Sequence, residues 1–224
     1  MSNRQFLSKL LKKVVLHEPH NRLLSNSLCD NFQSAYRAHN STQTALPDVM
    51  NCLLGSAYEG QVSVLTLLDL SAAFDTLHHT ILLAQLHDMF GISGKALQWF
   101  TSYLFDRVQA VSDNGRVSSQ KKLHYGVPQS SVLGPVLFIL YIQLLSEVIS
   151  RCRYGHHKFA GDIQLHQSST SSDFHSLIVD VEQCVDSVGR RMTGNRLKLS
   201  NDKTEALLVG SRTRVGVSRH KIAT

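Results

Sequence analysis

HHKFAGDIQLH, His156 to His166, reads as strand, tight turn, strand. Phe159 and Ala160 run into Gly161-Asp162, and Ile163 and Leu165 then alternate with Gln164 and His166 at the two-residue period of a half-buried strand. A carboxylate on a hairpin tip is in the first instance turn chemistry, because Gly accepts positive φ, expected here at Gly161, and Asp can bond its own backbone.

Working outward, Pro135 opens a helix over Val136–Ile149, at the position where a missing N–H costs least. Past the polar loop Gln167–Ser172, a helix is predicted with Leu177, Val181, Cys184, Val185 and Val188 on one face. Leu197–Leu199, a turn at Ser200–Lys203 and Ala206–Val209 read as another hairpin. Toward the N-terminus, Asp113-Asn114-Gly115 between Arg107–Ser112 and Arg116 onward is a third, since Asn-Gly suits a turn that demands positive φ. Ser93 is placed to cap a helix with Leu97, Phe100 and Leu104 inward, and Ile81–Phe90 carries Leu82, Leu86, Met89 and Phe90 on one side before Gly91 stops it. Val62-Ser-Val-Leu-Thr-Leu-Leu-Asp69 is a nearly continuous apolar run, predicted as a strand covered on both faces and ending in a carboxylate. Strand, helices, hairpin, helix, hairpin, helix, hairpin is an α+β order, with helices over an antiparallel sheet.

Composition bounds the function. The 224 residues, 42% hydrophobic, are enough to bury a core in one domain or two packed lobes and exclude a disordered chain. Lys and Arg outnumber Asp and Glu 23 to 17, giving +6, a balance that favours a polyanionic partner without requiring one. Cys29, Cys52, Cys152 and Cys184 lack CxxC spacing, so neither a disulfide framework nor a zinc site is indicated. His17 and His20 are separated by Pro19, which breaks the helix that would align them on a metal. No signal peptide is visible, and the apolar stretch Val132–Ile142 falls short of the ~20 residues of a membrane span, so an intracellular protein, cytoplasmic or nuclear and without a membrane partner, is expected.

Asp69 at a strand end and Asp162 on a hairpin turn are the pair that draws attention. Carboxylates converging on one sheet edge suit two-metal phosphoryl transfer, in which hard oxygens hold two Mg²⁺ about 3.5–4 Å apart. Strand-end aspartates also serve solvation and helix capping, and spacing alone leaves both readings open.

Five ordered stretches carry a resemblance over nearly the whole chain: Phe32–Arg37 with Ser41–Leu46, Leu68–Asp75, Gly126–Pro135, Phe159–Asp162 and Asn195–Glu205. They resemble the successive motifs of LINE-type (non-LTR) retrotransposon reverse transcriptases. The resemblance implies an RNA-directed DNA polymerase with a right-hand fold, of which residues 1–60 would give a partial fingers segment, 61–210 the palm and 211–224 a basic C-terminal tail. An upstream endonuclease and a thumb would lie outside this chain. It also implies an RNA template, a DNA primer and deoxynucleoside triphosphates as partners, and Mg²⁺, with Mn²⁺ as a substitute, as cofactor.

Residue by residue, the resemblance makes Asp69 a metal ligand, with the carbonyl of Leu70 as a second oxygen. Phe74 matches the bulky residue under the nucleotide sugar, where an aromatic ring would exclude a 2′-OH. Gln129 matches the residue of the loop that meets template and nucleotide; Ser130 follows it where the family has Gly. Arg37 matches a fingers arginine near phosphates, and Lys203 a lysine that protonates departing pyrophosphate or contacts phosphate. Where the family has Phe/Tyr-Ala-Asp-Asp, this chain has Phe159-Ala160-Gly161-Asp162. The first turn carboxylate, a metal-bridging ligand in the family, is replaced by Gly161, and Asp162 matches its neighbour. The expectation is a reverse transcriptase domain impaired at the metal site; a non-catalytic nucleic-acid-binding relic, an inert globular relic and a metal-dependent nuclease are the alternatives.

Overall fold

The computed structural model describes residues 32–36, 40–71, 74–127, 131–152, 154–210 and 217–220. The chain divides into two compact units, one holding the described part of 74–141 and the other the described parts of 29–73 and 142–224. Residues 61–210, read from sequence as one palm, are therefore shared between both.

The second unit is built on a six-stranded antiparallel sheet in the order β10-β9-β1-β7-β6, with β8 also on β1. Its strands are β1 Val62–Ser71, β6 Gly155–Phe159, β7 Asp162–Ser169, β8 Lys198–Leu199, β9 Glu205–Val209 and β10 Val217–His220; the short β2 to β5 belong to the other unit. The β6–turn–β7 hairpin has the predicted form, with Phe159 opposite Asp162. Part of the expected C-terminal tail is sheet, since β10 pairs β9.

Along β1 the burial alternates. Val64, Leu68 and Leu70 enter the core with Ile163, Leu165 and Leu208, while Leu65, Leu67 and Asp69 lie half-exposed on the other face. The expectation of a strand covered on both faces is thereby corrected: leucines occupy the open face as well, and sequence does not show which face the helices leave bare. The buried face packs on helices Thr42–Tyr58 and Phe174–Gly194, the latter contributing Leu177, Val181, Cys184, Val185, Val188 and Met192. Each such side chain stabilises the fold by about 1.5–3 kcal/mol on burial.

Two further expectations change. Leu197–Val209 is not a hairpin: β8 and β9 each pair antiparallel with β1 in turn, Leu199 opposite Leu70 and Glu205 opposite Leu67, with a 3-10 turn at Asn201–Lys203 between them. Both segments are apolar on alternate residues, and β1 offers each a longer partner than the other does. The helix predicted over Val136–Ile149 is two, Gly134–Tyr141 and Leu144–Arg151, because the chain tightens to three-residue turns at Ile142 and Gln143, where Leu145 N–H donates to the Ile142 carbonyl and Ser146 N–H to that of Gln143. Among the described residues, Gly134–Arg151 taken as one 18-residue stretch is long and apolar enough to cross a membrane, though half of it is buried within the fold.

In the first unit, helices His79–Asp88, Gly94–Leu104 and Gly134–Tyr141 pack around Leu82, Leu86, Phe100 and Leu104. Ser93 stands at the expected cap position without a side-chain cap bond. Asn114-Gly115, both at positive φ, turns β3 Ser112–Asp113 into β4 Arg116–Val117, and β2 Val108–Gln109 pairs β5 Lys121–Lys122 beneath.

Candidate active site

Register puts Asp69 of β1 directly opposite Asp162 of β7, at the end of their shared ladder and on the open face of the sheet. Cross-strand neighbours have Cβ atoms about 4.5–5.5 Å apart, so the two carboxyls meet. Partial burial raises the pKa of Asp162 above its usual value, its hydrogen bond with Asp69 and the charge there act the same way, and Lys203 opposes them. A carboxylate at this distance disfavours the charged form of Asp162.

Lys203 reaches the pair through the 3-10 turn. Ser200 N–H donates to the Asp69 carbonyl at 2.8 Å, and Lys203 N–H and Thr204 Oγ1 both donate to the Ser200 carbonyl, at 3.1 and 2.9 Å. The turn so anchored sets Lys203 Nζ 3.0 Å from Asp69 Oδ2. With the lysine side chain 71% exposed, the ion pair contributes little stability, about 0–1 kcal/mol; its effect is on charge. The three residues line a cleft of about 330 Å³ whose floor includes Leu67, Leu68 and Gln164.

Gly161 lies in the two-residue turn between Phe159 and Asp162. The left-handed φ of that turn, +57°, falls on Ala160 and not on Gly161, correcting the expectation for the glycine. A two-residue hairpin requires positive φ at its first central residue, which here is the alanine.

Leu70 follows Asp69 with its side chain in the core, 5% exposed. Phe74 falls in the first unit, where its ring packs on Phe138 with centroids 4.7 Å apart. Arg37, Gln129 and Ser130 lie outside the described residues. Two carboxylates with an adjacent carbonyl fit one Mg²⁺, which commonly takes one or two protein carboxylates and fills its octahedron with water and substrate phosphates. No group of three or more His, Cys, Asp or Glu able to hold a metal occurs among the described residues.

Sequence reading missed a latch in the first unit. Gly126 N–H donates to the Leu77 carbonyl at 2.8 Å, Val127 N–H to that of Phe74 at 2.9 Å, and His79 Nε2 bonds the Gly126 carbonyl at 2.8 Å. Gly126 has φ +81°, and a Cβ there would stand 2.9 Å from the Asp75 carbonyl oxygen. The only sequence signals were the glycine itself and the doubled histidine His78-His79.

A family described as reverse transcriptase (RNA-dependent DNA polymerase) matches residues 1–221. The RNA-directed DNA polymerase from mobile element jockey of Drosophila melanogaster is 32% identical over 139 residues, covering 60% of this chain and 14% of the relative. Its Drosophila funebris counterpart is 30% identical with the same coverage. A probable RNA-directed DNA polymerase from transposon BS of Drosophila melanogaster is 24% identical over 135 residues, 60% of this chain and 15% of that one. The match thus spans about a seventh of these relatives' length. Among solved structures, apo telomerase from Candida tropicalis truncated from its C-terminal domain superposes with TM-score 0.67 at 14% identity, over 96% of this chain and 46% of that one. Telomerase from Candida albicans in complex with a telomeric RNA fragment gives 0.63 at 13%, over 94% and 39%. At such identities the likeness is one of fold, an α+β palm.

Proposed function

The chain belongs to the reverse transcriptase (RNA-dependent DNA polymerase) family, in its non-LTR retrotransposon branch, and from that premise we propose that it binds an RNA template with a DNA primer but is impaired in nucleotidyl transfer at Gly161. The observation that carries the reading is the Asp69–Asp162 pair with Lys203 on Asp69 and a glycine in the adjoining turn.

Asp69, Asp162 and the Leu70 carbonyl are the oxygens that would hold Mg²⁺ or Mn²⁺. A bound divalent ion supplies charge stabilisation on phosphoryl oxygens. Lys203 pairs with Asp69, while partial burial and the neighbouring Asp69 raise the pKa of Asp162. Lys203, mostly exposed, is free to turn from Asp69 to a phosphate and to protonate a departing one. Phe74 would exclude a ribose 2′-OH, Gln129 would meet the nucleotide and Arg37 the phosphates, as their motif positions imply. The loss of one carboxylate removes several kcal/mol of transition-state stabilisation, and at 1.36 kcal/mol per tenfold this lowers the rate by several orders of magnitude.

Primer extension tests this. The chain with Mg²⁺ or Mn²⁺, an RNA template, a DNA primer and dNTPs should retain the primer–template with steep salt dependence and extend it little. Extension at the rate of intact family members would overturn the impairment. Binding without extension, even after Gly161→Asp, would favour a non-catalytic nucleic-acid-binding relic, a reading supported by the net charge of +6. Absence of both would reduce the chain to a globular remnant.

A further inference from the structure

A second cluster of chemistry lies in the first unit, where the chain leaving helix Gly94–Leu104 and the chain leaving β5 pass the start of helix His79–Asp88. A pocket of about 240 Å³ opens there, whose lining includes Arg107 and Lys122 together with the carboxylate of Asp106. Three imidazoles, His78, His79 and His124, share its lining.

The positive charge of the pocket comes from Arg107 and Lys122. Burial lowers the pKa of His79, its bond to the Gly126 carbonyl resists, and Arg107, His78 and His124 add to the lowering, so these groups stand close to its ring. The ten-residue helix begins here, and the N–H groups of its first turn have no intrahelical partner; His78 at the cap makes no side-chain cap bond. His78 Nδ1 is itself buried without a hydrogen-bond partner. Arg107 is held against the Tyr103 ring, 5.6 Å from its centroid, and the preceding Asp106 sits at φ +54°. Such backbone strain persists only where its surroundings fix it.

The walls are aromatic: Tyr125 lies 5.3 Å from the His78 ring and Phe105 5.8 Å from that of His79. Clefts that enclose whole small molecules run about 300–1,000 Å³, so this one admits a phosphate group rather than an entire nucleotide.

We infer that this pocket seats a backbone phosphate of a bound nucleic-acid strand, through Arg107, Lys122 and the N-terminal turn of helix His79–Asp88. The inference rests on the nucleic-acid reading above and deepens it by naming a contact in the unit that does not hold the carboxylate pair.

The experiment measures affinity for a labelled RNA–DNA primer–template across a range of salt concentrations, using the full chain, Lys122→Gln, the double variant Arg107→Gln/Lys122→Gln, and Lys95→Gln as control. Lys122 is exposed and its strand pairs through the backbone, and Lys95 is an exposed helix residue outside the pocket, so both single variants should fold. Each lost phosphate contact lowers the log–log salt slope by about 0.7–0.9. The double variant should lower it by about one such step and Lys122→Gln by part of one, with weaker binding at fixed salt, while Lys95→Gln leaves it in place. An unmoved slope in the double variant with an unchanged melting temperature overturns the inference, as does an equal loss in Lys95→Gln. Inorganic phosphate that stabilises the full chain but not the double variant, with strand binding unmoved, would mark a free-phosphate site and overturn the strand reading. No strand binding by the unmodified chain overturns both this inference and the nucleic-acid reading; binding that the variants leave untouched overturns this inference alone.

Discussion

Asp162 is where a single residue decides most. Its carboxyl is raised by partial burial and by Asp69, so ionising it costs the native state, and its contribution to stability is present at low pH and lost as pH rises through the raised value. Asp162→Asn should therefore raise the melting temperature at neutral pH by a few degrees at most, the group being largely exposed. Calorimetry of the two proteins at pH 7 checks this, and a fall would mean the pair does not repel. Gly161→Asp works in the opposite sense. Without metal a third carboxylate beside the first two should lower the melting temperature. With millimolar Mg²⁺ it should recover a stabilisation absent from the parent, since an ion that binds only the native state stabilises by mass action. No metal response in this variant would show that the turn cannot rebuild a site.

At the scale of elements, turns and latches set where those residues stand. Ala160 takes the left-handed conformation, which costs an L-residue about 1–2 kcal/mol, offset in part by the greater unfolded-state freedom of glycine. Ala160→Gly should thus stabilise the chain by about 0.5–1 kcal/mol in urea unfolding, and destabilisation would mean the methyl group packs more than it strains. Gly126 is the reverse case. With φ +81° and the Asp75 carbonyl 2.9 Å from where a Cβ would stand, Gly126→Ala should cost about 2 kcal/mol or more by the same measurement. It should also loosen the hold of Val127 on Phe74, seen as faster amide exchange at Val127.

Over the whole molecule, buried His79 and half-buried His166 each weaken the fold in acid. His79 and His166 both lie below the ordinary value of 6.5, His79 through burial and neighbouring cations, His166 through burial and then His156 and His157. Their native forms bind fewer protons than the unfolded chain, so stability is full above 6.5 and is lost as pH falls through the lowered values. The urea midpoint should be lower at pH 5.5 than at pH 7.5, and His166→Gln should flatten that difference. An equal midpoint at both pH values would contradict the burial of these rings.

The sequence by itself determined the α+β order, the β6–β7 hairpin, the Asn114-Gly115 turn and the apolar face of helix Phe174–Gly194, because period and turn chemistry act over a few residues and leave a local trace. It also carried the motifs that place Asp69 and Asp162 in one family. Only the tertiary structure decided that β8 and β9 both choose β1, that the leucines of β1 divide between a buried and an open face, and that Ala160 bears the strain of the turn. The same holds for Lys158, which a strand of His-His-Lys-Phe could equally have turned outward; it is 1% exposed, its ammonium donating to Ser146 Oγ on helix Leu144–Arg151. Lys203 is the clearest case, since it meets Asp69 from 134 residues away only through a turn pinned to the backbone of β1. Pairing partners, strand faces and such long-range contacts depend on competition among segments far apart in the chain, and no window of sequence contains that competition.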